Sequence, residues 1–128
     1  MGMYTELIFG AELKQDTPEN VIESLKYMMG DVEEKPENFP LPDGRCEWLF
    51  KGSSYYFGIN QAVSSMWFDN ISKSWSISTR SNIKNYGDEI ESFLEWIKPY
   101  IDSGSGCRDM YAIVTYEESD TPDIYYLS

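Results

Sequence analysis

The spacing of apolar residues changes several times along the chain, and each change marks an element. Residues 4–13 (YTELIFGAEL) alternate around the apolar cluster Leu7, Ile8 and Phe9, a pattern that suits a central strand covered on both faces at its middle. Thr17 then stands as an N-cap, with Pro18 at the first helical position, where its missing N–H is harmless, and Glu19 in the first turn. Val21, Ile22, Leu25, Met28 and Met29 follow at helical spacing, with Glu19, Glu23 and Lys26 off that stripe, until Gly30 supplies a stop. The two methionines read as core filler.

Residues 31–45 (DVEEKPENFPLPDGR) hold three prolines and no sustained period, which predicts a long acidic connection. Short aromatic strands are expected at 46–50, 54–59, 66–70 and 75–81. In the last of these Trp75, Ile77 and Thr79 alternate with Ser76, Ser78 and Arg80, so one face should meet solvent. A turn at 85–88 leads into a second helix over 88–99, where Ile90, Phe93, Leu94, Ile97 and Ile101 form one stripe and Pro99 should kink or terminate the last turn. After a Ser-Gly linker at 103–106, residues 110–116 and 124–127 read as a terminal hairpin around a turn at 119–123. The order predicts a single α+β domain spanning 1–128: a mainly antiparallel sheet of about five to seven strands with two helices packed on one face.

Composition narrows the function. With 41% hydrophobic and 16% aromatic residues the chain can build a core, which excludes a disordered acidic tail. Ten Lys plus Arg against 22 Asp plus Glu give a net charge of −12, which opposes direct nucleic-acid binding. The absence of histidine removes Ser-His-Asp and Cys-His nucleophile pairs and most zinc sites. Cys46 and Cys107 have no metal or disulfide-framework spacing and read as buried thiols, and neither metal nor cofactor is expected. The N-terminus has no basic region followed by an apolar run, so a cytoplasmic protein without membrane contact is the expectation. Catalysis would have to rest on carboxylates, as in a hydrolase or nuclease. Glu33-Glu34 and Glu117-Glu118 read instead as solvated charge, and a non-enzymatic protein is expected.

Charge distribution leaves two readings. Between Asn70 and Gly87 there is no acid, while Lys73, Arg80 and Lys84 accompany Trp75, Asn85 and Tyr86; such a basic and aromatic island could hold a small nucleotide. The acidic connection, through Glu33, Glu34, Glu37 and Asp43, could instead bind a partner protein by imitating phosphates. That second reading is the preferred one.

Met3-Tyr4-Thr5-Glu6, Lys14-Gln15-Asp16-Thr17-Pro18, Ile71-Ser72-Lys73-Ser74-Trp75, Ile83-Lys84-Asn85-Tyr86 and the run from Glu89 to Ile97 resemble a family of small uncharacterised phage-encoded proteins over nearly the whole chain. In that family the start is similar to Met-Tyr-Thr-Glu, so Met1-Gly2 reads as an added dipeptide. The resemblance implies an accessory protein acting in the host cytosol, with no site to transfer. Joined to the charge reading, it predicts an inhibitor of a host protein, one that belongs to defence or handles nucleic acid.

Overall fold

In the computed structural model the described residues are 4–41, 44–51, 64–85, 87–102 and 110–127. The expected strand at 54–59, the linker at 103–106, and Asp43, Tyr86 and Cys107 lie outside them. Five strands, β1 (Thr5–Glu12), β2 (Ser65–Asp69), β3 (Ser74–Ile83), β4 (Met110–Tyr116) and β5 (Asp123–Tyr126), form one sheet in the order β2-β3-β1-β4-β5. Every pairing is antiparallel. The expected central strand is central: β1 sets Phe9 opposite Thr79 on β3 and Ala112 on β4.

Helices α1 (Glu19–Met29) and α2 (Glu89–Ile97) both contribute their apolar stripes to a core shared with the sheet. Leu25, Met28, Ile90, Phe93 and Ile97 are fully buried there. Phe93 sits edge-on to Phe9 and to Phe50, with centroids 5.1 and 5.0 Å apart, so α2 lies over the middle of the sheet. Such edge-to-face pairs match ring edge to ring face and contribute beyond buried area. Met28 is fully buried and Met29 packs at the margin of the core.

Several sequence expectations need correction. Thr17 does not cap α1: its hydroxyl donates to the Lys14 carbonyl at 2.6 Å, and the helix begins one residue late, with Pro18 as the N-cap. Residues 46–50 are not a strand, because Arg45–Trp48 forms a 3-10 turn. Cys46, Leu49 and Phe50 are the buried members, a spacing of three and four, while Trp48 is 62% exposed. Gly44, at φ 97°, permits the entry, and the Glu47 carboxylate accepts its N–H at 2.9 Å. The second helix also runs shorter than expected, with Lys98–Tyr100 as a 3-10 turn around Pro99. On β3, Ser78 is exposed as expected, whereas Ser76 and Arg80 are half-buried. No helix among the described residues is long and apolar enough to cross a membrane.

Candidate functional site

The acidic connection folds back on α1. Tyr27 holds Phe39 edge-on at 5.7 Å, and the Asn20 side chain donates to the Asn38 carbonyl. A groove of about 430 Å³ results, with Glu34 and Glu37 on one wall and Glu19 and Glu23 of α1 on the other. Glu33 is exposed on the same segment without lining the groove. None of these five carboxylates forms an ion pair among the described residues. Lys35 is the cation of the lining, and its ammonium is held at 3.2 Å by Glu47. Like charges gathered in this way raise a negative potential that solvent screens only in part.

Glu47 anchors the far end of the connection. It accepts from the Gly44 N–H, from the Tyr27 hydroxyl at 2.7 Å and from Lys35. Those bonds, the Gly44 N–H foremost, hold its carboxyl below the usual carboxylate range. Beside it, burial and the nearby Glu89 and Glu47 push the Cys46 thiol up to about 11, so this free cysteine stays protonated and inert at neutral pH.

The described residues of the basic island are not assembled into one site. Lys73 precedes β3 and Lys84 follows it, and an extended strand places them roughly 35 Å apart. Arg80 lies between them, opposite Ile8 of β1. Lys84 sits over the Tyr4 ring. Asn85 is spent on α2: its Oδ1 accepts the Ile90 N–H at 2.9 Å and its Nδ2 donates to Glu91 at 2.7 Å. Among the described candidate residues, Lys73 and Trp75 alone line a common cavity.

They do so with residues that sequence reasoning missed. Lys14, after β1, and Lys26, on α1, join them around a cavity of about 190 Å³. The Lys26 ammonium lies 4.7 Å from the centroid of the Trp75 ring, and Phe68 of β2 packs edge-on to that ring at 5.5 Å. Register brings Lys14 here: the Leu13 N–H donates to the Trp75 carbonyl at 2.8 Å, and the Ser74 hydroxyl donates to Glu12 at 2.7 Å. No short-range signal announces this grouping, since its members come from four separate stretches of chain.

Among the described residues no group of three Cys, Asp or Glu side chains is placed to hold a metal ion. Comparison with family models, with curated proteins and with solved structures finds no match for this chain.

Proposed function

We propose that the protein works without catalysis, by binding a partner protein through the acidic groove between α1 and residues 31–41. One observation carries this reading: Glu19, Glu23, Glu34 and Glu37 share a groove in which Lys35, the one lysine of the lining among the described residues, is already paired with Glu47. A partner that offers lysines and arginines relieves the mutual repulsion of those carboxylates, and complementary charge speeds its approach. A nucleic-acid-handling protein has such a basic surface. The resemblance to phage proteins supports a host enzyme or defence component as that partner, with inhibition following from occupation of its phosphate-binding surface.

The test is affinity capture from host lysate followed by mass spectrometry, comparing the wild type with a Glu19→Lys, Glu23→Lys, Glu34→Lys, Glu37→Lys variant. The wild type should retain a basic protein whose recovery falls as salt rises, because exposed charges are screened over about 10 Å at 0.1 M salt. The variant should lose it. Equal recovery by both forms, or recovery indifferent to salt, would overturn the reading.

A further inference from the structure

We propose that the cavity formed by the segment entering α1 and the β2–β3 hairpin is a binding site for a small phosphate group. Lys14, Lys26 and Lys73 all line it, in a chain with 22 acidic residues, and none of the three is ion-paired among the described residues. Lys26 rests on the face of Trp75 rather than on a carboxylate. Among the described residues Glu19 is the one acid of the lining, against three lysines, in an otherwise acidic molecule.

Lysine cations act as point charges, and converging ammoniums suit the spread negative charge of a tetrahedral phosphate. The cavity's 190 Å³ falls below the roughly 300–1,000 Å³ usual for drug-sized ligands, which favours inorganic phosphate or a phosphate monoester over a dinucleotide. Any organic part would rest against Phe68, which is half open to solvent.

The backbone at Lys73 adds to the argument. Its φ of 59° lies in the left-handed region that glycine and asparagine occupy more readily. The turn around it is fixed by Asp69, which accepts the Ile71 N–H at 2.9 Å and the Ser72 hydroxyl at 3.1 Å, while the Lys73 N–H donates to the Asp69 carbonyl at 2.8 Å. A lysine that lines the cavity is therefore held in a costly backbone conformation, and its ammonium is the feature that glycine would lack.

Among the described residues this site shares Glu19 alone with the acidic groove, and its test reads phosphate rather than protein binding, so the two readings can fail separately. Inorganic phosphate and a nucleoside monophosphate are titrated separately into the full chain, with thermal melting and calorimetry as readouts and sodium chloride at matched ionic strength as the control. Phosphate should raise the melting temperature with its concentration, as a ligand of the folded state must. A larger shift with the monophosphate would identify an ester as the better ligand; an equal shift would identify the phosphate group alone. Lys73→Gly and Lys14→Gln should each weaken binding by about tenfold, the loss of about 1.4 kcal/mol. Lys73→Gly also relieves the left-handed backbone, so it should fold at least as well as the wild type, and lost binding cannot be blamed on unfolding. Glu19→Gln should tighten binding by removing the repelling carboxylate. A shift no greater than that of matched chloride, or one unchanged in the Lys14→Gln, Lys73→Gly double variant, would overturn the proposal.

Discussion

Replacing Thr79 by Val should stabilise the protein. Thr79 lies on β3 opposite Phe9, is 2% exposed, and its hydroxyl finds no hydrogen-bond partner among the described residues. In the unfolded chain water satisfies that hydroxyl; on folding it loses water and gains nothing. The penalty for a buried group left so is about 1–3 kcal/mol. Valine keeps the branched shape and the strand preference while replacing the hydroxyl with a methyl, so the variant should gain about 1–2 kcal/mol. In a domain of this size that is a rise in Tm of about 4–8 °C. Ser81 is the internal control. Two residues along the same strand and equally buried, it donates to the Leu49 carbonyl. Ser81→Ala should cost about 1–3 kcal/mol by taking the donor from a buried carbonyl. Denaturant titration and thermal melting of both variants give the two signs. If Thr79→Val lowers stability by more than about 0.5 kcal/mol, the hydroxyl has a partner and the reasoning fails.

Phe93→Ala removes the ring shared by Phe9 and Phe50 and should cost about 3–5 kcal/mol in a denaturant titration; a loss below about 1 kcal/mol would place that ring outside the core. Folding lowers the Glu47 pKa, so its contribution is present above the ordinary value near 4.5 and is lost as pH falls through the lower folded value. Melting across acidic pH should therefore show a shallower acid limb for Glu47→Gln than for the wild type, and parallel limbs would contradict the assignment. In a Cys107→Ser background, Cys46 should resist alkylation at neutral pH until the protein is unfolded, and the wild type should melt at the same temperature with and without reductant. Rapid alkylation of the native variant would show that the thiol is accessible.

The elements with sustained periods were legible from the chain alone. Leu7 and Phe9 mark β1, the Ile90, Phe93, Leu94 and Ile97 stripe marks α2, and Gly30 ends α1 with a left-handed φ of 86°. Of the short segments, those expected at 66–70 and 124–127 are strands, whereas the one at 46–50 is not. Cys46, Leu49 and Phe50 span too few residues to separate one helical turn from a strand. The choice came from distant partners: the Tyr27 hydroxyl on Glu47, and the Ser81 hydroxyl on the Leu49 carbonyl.

Charge behaved similarly. That residues 31–45 are acidic is a property of the sequence, but Glu34 and Glu37 face Glu19 and Glu23 only because Phe39 packs on Tyr27. The basic island shows the opposite effect. Lys73, Arg80 and Lys84 are neighbours in sequence, yet a strand advances about 3.3 Å per residue and so carries them apart. Antiparallel pairing of β1 with β3, and the packing of α1 against the β2–β3 hairpin, then bring Lys14 and Lys26 to Lys73. Periodic burial is local physics, written wherever a face must leave water. Which charges meet depends on the register between strands and on how the helix seats over them, and both are settled only when distant parts of the chain pack.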